Sequence, residues 1–352
     1  MSRKSRENPA VREFILRNVG DHPNDVTALV AKEFGLSRNA VNGYLNRLIE
    51  SGLLIGHGQT KARNYALKNL ALHIAAKDIA PGVAEDDVWR DDIMPNMKSV
   101  PQNIADICQY GFTEMFNNVI DHSESPTALV SYRQTYTTIE MAVDDYGVGI
   151  FEKIQKDFGL ADPRAALLEL AKGKLTSDTT KHSGEGIFFT SRMFDRFSIL
   201  SGRLYYSKRM TEDDGWLIET SDAVEYTQGT AIRMIIGTDT GRTIRDAFEK
   251  YTNEDLDFSK THVPISLGRY PGEQLVSRSQ AKRILSRFDK FAEVFLDFAG
   301  VASIGQAFAD EIFRVFVNAH PEIKLVTINT NPEVLRMIEY VRNGGLRQGS
   351  LF

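Results

Sequence analysis

Residues 114–122 read EMFNNVIDH and lie at the end of an apolar helical pattern. Glu114, Asn118 and His122 are spaced at i, i+4 and i+8, so they project from one helical face. A carboxylate there can orient or deprotonate a water molecule. An amide oxygen one turn further on can coordinate Mg²⁺, a hard ion that prefers oxygen ligands. The segment therefore predicts a polar site at the end of a buried helix.

A second segment, residues 141–150, reads MAVDDYGVGI. Here a predicted strand ends in carboxylates, and Gly147 and Gly149 precede a helix. A buried aspartate can accept a hydrogen bond from an adenine amino group, and glycines let the backbone approach the base. Asp144 and Asp145 are both candidates, and the spacing to Gly147 favours Asp145.

A third segment, residues 182–187, reads HSGEGI and again places Gly-x-Gly before a helix. Backbone N–H groups at Gly184 and Gly186, together with the helix N-terminus, can hold phosphates. Thr230 follows Gly229 at the start of a later strand and could supply a hydroxyl near the base. Each segment alone is weak evidence for a binding site, but the order and spacing of the three together form a specific pattern.

Together, these segments resemble the N box and the two glycine boxes of the GHKL ATP-binding fold, which gyrase and histidine kinases share. The resemblance covers roughly residues 100–240, and the N box is most similar to that of anti-sigma-factor serine kinases. It implies ATP and Mg²⁺ as cofactors and assigns roles to individual residues. Glu114 would be the catalytic base, Asn118 the Mg²⁺ ligand and Asp145 the adenine partner. Two pairs of glycines would line the base and the phosphates respectively: Gly147 with Gly149, and Gly184 with Gly186.

The resemblance also implies a lid over ATP at residues 151–183. Its cationic and hydroxyl side chains are Lys172, Lys174, Thr176 and Lys181. We expect Lys174 to contact the nucleotide.

Three features depart from the family pattern, and one of them is the pair of candidate aspartates, Asp144 and Asp145, named above. The second glycine box lacks the usual Gly-x-Gly-Leu-Gly, and Glu185 brings a negative charge close to the phosphates, which predicts weak affinity or slow hydrolysis. A dimerisation helix with a phospho-acceptor histidine does not precede the domain, so an ordinary histidine kinase is not expected. We interpret His122 as a histidine packed beneath the site.

The N-terminal 67 residues predict three short helices and a hairpin. Asn8-Pro9 begins the first helix, Gly35 ends the second and Ser37 caps the third. The third helix would bury Val41, Leu45, Leu48 and Ile49. Its other side carries small polar and basic residues: Arg38, Asn39, Asn42, Asn46 and Arg47.

This N-terminal stretch resembles a winged helix-turn-helix domain. Asparagine and arginine on the third helix would read base edges in the DNA major groove. Lys61 and Arg63 on the hairpin would lie near the DNA backbone or minor groove. Because one half-site offers limited affinity, we expect a homodimer. The alternative is a small helical module that contacts protein.

The distribution of charge favours the DNA interpretation. The whole chain carries 42 Lys and Arg against 47 Asp and Glu, a net charge of −5, which alone argues against nucleic acid. Residues 1–67 hold 10 basic and 6 acidic residues, a net of about +4, which leaves about −9 for the rest. A basic N-terminal region attached to an acidic remainder predicts that only residues 1–67 contact DNA.

The C-terminal residues alternate strand and helix patterns and predict a small α/β domain. The run VFLDFAGVASIGQAFAD, residues 294–310, reads as a buried strand, a turn and a helix start. It resembles the STAS-like (DUF4325-type) domain found beside GHKL modules, which could dock a protein partner. The phosphorylated serine of anti-sigma antagonists is replaced near Gly305-Gln306, and we interpret Ser303 as a turn residue.

The sequence thus predicts a multidomain α/β chain of 352 residues. The expected parts are a winged helix (1–67), a linker (68–100), a GHKL α/β sandwich (101–240), a linker (241–260) and a STAS-like α/β domain (261–352). One cysteine, Cys108, excludes an internal disulfide. With no signal core and no apolar run of membrane-spanning length, we expect a cytoplasmic chain.

Three functions remain open at this point. The first is a DNA-binding transcription regulator that Mg-ATP binding or slow hydrolysis switches. The second is an anti-sigma-type Ser/Thr protein kinase that acts on a partner. The third is a scaffold in a defence or stress complex that binds ATP without hydrolysing it. Whether the chain is an enzyme, as a weak ATPase or a kinase, is left undecided.

Overall fold

The computed structural model describes residues 8–58, 63–175, 184–210, 216–221, 227–255, 257–269 and 272–343. Within these ranges the chain is a mixed α/β multidomain fold with three sheets. No helix in these ranges combines the length and apolar character that a membrane crossing needs.

Three helices and a two-stranded antiparallel hairpin form the N-terminal unit. The elements are α1 (Pro9–Asn18), α2 (Val26–Phe34), α3 (Arg38–Glu50), β1 (Leu54–His57) and β2 (Asn64–Leu67).

Local sequence explains where these helices begin and end. The Asn8 side chain accepts a hydrogen bond from the Ala10 N–H at the start of α1, and Ser37 accepts one from the Ala40 N–H at the start of α3. Gly35 ends α2 in the left-handed region at φ +64°, where glycine avoids strain. The predicted order of helices and hairpin is therefore observed.

A seven-stranded antiparallel sheet forms the centre of the molecule, in the order β3-β4-β5-β9-β6-β7-β8. Its strands are β3 (Ala71–Asp78), β4 (Thr127–Gln134), β5 (Thr138–Asp145), β6 (Arg196–Gly202), β7 (Leu204–Met210), β8 (Trp216–Ser221) and β9 (Thr227–Gly237). The accompanying helices are α4 (Glu85–Val88), α5 (Gln102–Asn118), α6 (Ile150–Phe158), α7 (Ala165–Lys172), α8 (Gly186–Met193) and α9 (Ile244–Tyr251). A π-helical turn, Val119–Ser123, continues α5.

The stretch 68–100, expected to be a linker, contributes a strand to this sheet. β3 pairs along its whole length with β4 and forms one edge of the sheet. The sequence pattern does not predict this strand. Its inward side carries small residues such as Ala71 and Ala75, while Leu72 and Ile74 point outward and are 57% and 60% exposed. The apolar alternation that marks a half-buried strand is therefore absent.

The stretch 241–260, expected to be helical or linking, also packs into the core. Helix α9 begins with a capping box between Thr243 and Asp246. The Phe248 ring of α9 stacks on Phe189 of α8 at 4.2 Å between centroids. This stretch therefore helps to join the central and C-terminal parts.

A three-stranded parallel sheet, in the order β10-β11-β12, forms the C-terminal unit. Its elements are β10 (Lys260–Pro264), α10 (Arg278–Leu285), β11 (Glu293–Asp297), α11 (Gln306–Asp310), α12 (Val317–Ala319), β12 (Lys324–Ile328) and α13 (Pro332–Arg342). A π-helical turn, Glu311–Phe316, joins α11 to α12. The alternation of strands and helices agrees with the sequence pattern.

The apolar core is divided unevenly. The N-terminal unit has its own cluster around Ile15, Val30 and Leu45. One continuous cluster spans the central and C-terminal parts, from Trp89 through Phe188 to Ile338.

Candidate functional site

A cavity of about 300 Å³ lies between the central sheet and helices α5, α6 and α8. It brings together the three segments that the sequence singled out. Its walls combine polar and apolar groups, and the apolar side chains come from five elements: Met115, Val143, Ile154, Leu170 and Ile232. Among the polar groups, one set belongs to β5 and β9 and another to the end of α5 and the start of α8. Apolar contact surface with a few placed polar groups is the usual construction of a small-molecule pocket.

Asp145 and Thr230 mark the first polar end. Asp145 is only 6% exposed, and its Oδ1 accepts a hydrogen bond from the Gly147 N–H at 3.0 Å. The Thr230 hydroxyl accepts one from the Ile150 N–H at 3.0 Å. Burial raises the pKa of Asp145, while hydrogen bonds from Gly147 and Thr230 oppose the shift. The carboxyl is therefore held in place but poorly solvated.

The structure separates the two adjacent aspartates. Asp144 points to the opposite side of β5 and accepts a hydrogen bond from Arg233 Nη2 at 3.0 Å. Asp145 lines the cavity and Asp144 does not. The preference for Asp145, which rested on spacing alone, agrees with this placement.

Gly147 and Gly149 do not themselves line the cavity, although they were expected to; Val148 between them does. A Cβ on Gly147 would overlap the carbonyl oxygen of Ser123, and one on Gly149 would lie 2.5 Å from Ser201 Oγ. The two glycines therefore allow close backbone packing beside Asp145.

Glu114, Asn118 and the segment Gly184–Gly186 form the second polar end. Helix α8 begins at Gly186, so its N-terminus opens into the cavity. A Cβ on Gly186 would overlap Glu114 Oε2, which shows how closely this carboxylate lies to the helix start. Glu114 and Glu185 line the same cavity, and burial together with their charges raises the pKa of Tyr110.

Lys174 is not at the cavity, contrary to expectation. Gly173 and Lys174 both have positive φ, 79° and 50°, and this turn directs the lysine towards the C-terminal unit. Its Nζ donates to the Lys290 carbonyl at 2.9 Å and lies 5.1 Å from the Phe291 ring centroid. The other expected lid residues Thr176 and Lys181 lie outside the described residues.

Lys153 of α6 lines the cavity and was missed in the sequence. Its Nζ lies 3.8 Å from Asp157 Oδ2 and 4.0 Å from Glu124 Oε1. The signal was available, since Ile150, Lys153 and Asp157 recur at helical spacing after Gly149. His122 and Asp121 also line the cavity, so His122 is at its surface and not only beneath it.

The polar side of α3 is fully presented to solvent. All five residues singled out there are exposed: Arg38, Asn39, Asn42, Asn46 and Arg47. The Arg47 guanidinium stacks on Tyr44 at 4.6 Å, and that of Arg63 lies 5.3 Å from the Tyr65 ring. Lys61 lies outside the described residues.

The N-terminal unit contacts the centre through the turn between β4 and β5. Tyr136 of this turn packs on the N-terminal core, and its hydroxyl donates to Glu13 Oε2 at 3.3 Å. Arg17 forms an ion pair with Asp239.

Within the described ranges, no cluster of three or more His, Cys, Asp or Glu side chains could hold a metal by itself. Asn118 does line the same cavity as the start of α8 and the acidic residues Glu114 and Glu185. Such oxygens suit Mg²⁺, which usually takes only one or two protein ligands and completes its shell with phosphate and water.

Residues 280–335 match the family model of a STAS-like domain of unknown function (DUF4325). The match runs from within α10 into α13 and confirms the resemblance stated for this part of the chain. A comparison with curated proteins finds no match.

Proposed function

We propose that the central cavity binds Mg-ATP, in a domain of GHKL type, and that nucleotide occupancy regulates DNA binding by an N-terminal winged helix. The observation that carries this proposal is the convergence of three separate sequence segments on one cavity. A buried carboxylate lies at one end and a glycine-flanked helix N-terminus at the other.

The Asp145 end suits an adenine base. Apolar side chains such as Val143, Ile154 and Ile232 provide flat contact surface, and the Asp145 carboxylate accepts a hydrogen bond from the exocyclic amino group. Because Asp145 is buried, that hydrogen bond is not in competition with bulk water.

The Gly184–Gly186 end suits the phosphates. The start of α8 lines the cavity, so the backbone N–H groups of its first turn and the positive end of the helix dipole are available there to a phosphate. Asn118 would hold Mg²⁺, which neutralises phosphate charge when bound. Glu114 would accept a proton from an attacking water, whereas the charge of Glu185 would oppose phosphate binding and make turnover slow.

The N-terminal unit supports the DNA part of the proposal. Its exposed α3 face joins two arginines to three asparagines, which suits major-groove recognition. Its separate core allows it to act as a module, and two such units in a homodimer would reach two half-sites.

A continuous strand supports coupling between the two sites. β5 begins at Thr138, beside the turn that carries Tyr136 onto the N-terminal core, and ends at Asp145 in the cavity. Coupling requires that ATP binds two arrangements of the molecule with different affinity.

Calorimetric titration of the whole chain with ATP and Mg²⁺ tests the binding claim, with GTP as the matched control for the base. We expect saturable binding of ATP in preference to GTP. Equal binding of both, or none, would contradict the adenine site.

DNA binding is then measured on a duplex enriched from a random-sequence library, with and without Mg-ATP. We expect the DNA affinity to differ several-fold between the two conditions. Equal affinity at saturating ATP would leave nucleotide and DNA binding in place but remove the regulatory link.

A Glu114→Ala variant separates the remaining functions. Slow phosphate release that is lost in this variant supports a hydrolytic switch. Transfer of the γ-phosphate to a protein supports a kinase. Unchanged behaviour of Glu114→Ala supports a scaffold that binds without turnover.

A further inference from the structure

Residues 169–175 connect the wall of the cavity to the C-terminal unit. Leu170 and Leu175 both line the cavity. The Leu175 N–H donates to the Gly184 carbonyl at 3.0 Å. Gly184 has a φ of +69°, and a Cβ there would lie 2.5 Å from the Leu175 carbonyl carbon. The Leu175 backbone therefore packs directly against Gly184 and is hydrogen-bonded to it.

Arg287, just after α10 in the C-terminal unit, holds this stretch with both ends of its guanidinium. Its Nη1 donates to Glu169 Oε2 at 2.6 Å, and its Nη2 donates to the carbonyls of Gly173, at 2.8 Å, and Lys174. A planar guanidinium is suited to such a three-point contact because its donors are fixed relative to one another. The Arg287 side chain is only 14% exposed.

Lys172 provides a second attachment, in which a side chain of the central part donates to the C-terminal unit. Its Nζ donates to Glu169 Oε1 at 2.7 Å and to the Ser286 carbonyl at 2.8 Å. Its own carbonyl accepts from the Thr261 hydroxyl of β10 at 2.6 Å. Burial lowers the pKa of Lys172 to about 8, and the Glu169 charge opposes this shift. Glu169 thus pairs with Lys172 of the central part and with Arg287 of the C-terminal unit.

We propose that Arg287 is a positioning residue through which the C-terminal unit sets the geometry of Gly184, and thereby the affinity of the cavity for phosphate groups. This inference rests on the proposed nucleotide function. Displacement of the C-terminal unit would withdraw the donor from the Gly173 and Lys174 carbonyls and release Leu175. A partner that binds the C-terminal unit could change nucleotide affinity by this route.

The effect of Arg287 should be specific to one end of the cavity. Asp145 and Thr230 belong to the central sheet and have no contact with residues 169–175 or Arg287 among the hydrogen bonds of the described residues. Loss of Arg287 should therefore weaken binding of a triphosphate more than binding of a nucleotide held mainly through its base.

The experiment compares Arg287→Ala and Arg287→Lys with Arg314→Ala in the whole chain. Arg314 is a suitable control because it lies in the same C-terminal unit and pairs only locally, with Asp310. For each protein we measure dissociation constants for ATP and AMP and, without nucleotide, amide hydrogen exchange at Leu175.

We expect Arg287→Ala to weaken ATP binding about tenfold, in line with the loss of charge-assisted hydrogen bonds, and to leave AMP binding within about twofold. Exchange at the Leu175 amide should accelerate, because its bond to Gly184 opens more often. Arg287→Lys should restore part of both effects, and Arg314→Ala should match the wild type.

Equal loss of ATP and AMP affinity, or unchanged ATP affinity in a folded Arg287→Ala protein, would overturn the inference. If Arg287→Ala does not fold, the same criteria apply to Arg287→Lys. If the wild type binds no nucleotide, the proposed function fails, yet Leu175 exchange still decides whether Arg287 positions this stretch.

Discussion

The N-terminal unit and the C-terminal unit are attached to the central sheet in opposite ways. The N-terminal unit keeps its own apolar cluster and contacts the centre mainly through Tyr136 and the Arg17–Asp239 ion pair. The C-terminal unit shares one cluster with the centre, and aromatic rings cross the boundary. A shared core couples unfolding, whereas a small contact does so weakly, so we expect the N-terminal unit to unfold and move more independently of the centre than the C-terminal unit does.

The largest expected effect comes from Phe258, at the centre of the shared core. Its ring lies 4.4 Å from that of Phe188 and 5.3 Å from that of Phe291. We expect Phe258→Ala to lower the free energy of unfolding by about 3–5 kcal/mol, because a buried ring is replaced by a cavity. Chemical denaturation followed by tryptophan fluorescence measures this loss, since Trp89 is buried in the same cluster.

Ile15→Ala in the separate core is the matched comparison. Both tryptophans, Trp89 and Trp216, lie outside the N-terminal unit. Ile15→Ala should therefore shift part of the circular dichroism transition and leave the fluorescence transition in place. Phe258→Ala should shift both signals together over the central and C-terminal parts. If Ile15→Ala moved the fluorescence midpoint as far as Phe258→Ala, the contrast between the two attachments would be wrong.

The second prediction concerns Asp145, which lies at the end of the strand that begins beside the N-terminal unit. We expect Asp145→Asn to weaken ATP binding about a hundredfold, because the amide cannot replace a charged acceptor in a buried site. Calorimetry measures this change. Thr230→Ser, which keeps the hydroxyl, is the control and should bind ATP with little change.

Asp145→Asn, which should weaken ATP binding, should not lower the free energy of unfolding. Burial raises the pKa of Asp145 in the folded state above its unfolded value. A raised acid pKa means that the ionised carboxylate is disfavoured by folding, so stability from this group is present at low pH and is lost as pH rises. Asp145→Asn should therefore be at least as stable as the wild type at neutral pH, and the difference should vanish on acidification. In the wild type, ATP affinity should fall on acidification at a pH above the usual aspartate range. A variant less stable at neutral pH would contradict this assignment.

These predictions depend on parts of the site that the sequence could and could not reveal. The three motif segments were recognisable because each carries its chemistry in consecutive residues, and their convergence on one cavity follows from the order of strands and helices. Asp145 was preferred to Asp144 because of its spacing to Gly147 alone.

Long-range packing explains most of what sequence reasoning missed. Lys174 was expected at the nucleotide because it is a cation in the expected lid, but two consecutive positive-φ residues direct it to Lys290. Lys153 was overlooked because only the fold of α6 against the sheet brings it to the cavity. Strand β3 was not predicted because its pairing partner β4 follows almost fifty residues later, and because its inward face alternates alanines with His73 and Lys77, which pair with Asp92.

The third prediction tests whether the N-terminal unit contacts DNA. We expect Arg38→Ala on the exposed face of α3 to weaken DNA binding about tenfold and to leave the salt dependence nearly unchanged, because this arginine is expected at base edges and not at phosphates. Fluorescence anisotropy over a series of salt concentrations measures both. Arg336→Ala, at an exposed position of α13, is the matched control. Similar losses for the two arginines would place DNA contact outside α3 or reduce it to general electrostatic attraction.

The smallest expected effect on stability, and the most informative one for coupling, comes from Tyr136. This side chain is half-buried and joins the central sheet to the N-terminal core, with a cation–π contact to Arg12 at 6.0 Å. We expect Tyr136→Ala to cost only about 1 kcal/mol of stability, because the ring is partly exposed and each core remains filled.

The binding consequence of this substitution should be larger than its cost in stability. ATP affinity and DNA affinity measured separately should stay near their wild-type values, since Tyr136 lies in neither site, while the effect of ATP on DNA binding should disappear. Tyr340→Ala, an exposed tyrosine on α13, should retain that effect. If ATP still altered DNA binding in Tyr136→Ala, coupling would have to pass through another contact, and the Arg17–Asp239 pair would be the next to remove. A loose attachment can transmit a signal only if its few contacts differ between two arrangements, and Tyr136 is the residue of this contact that packs directly on the N-terminal core.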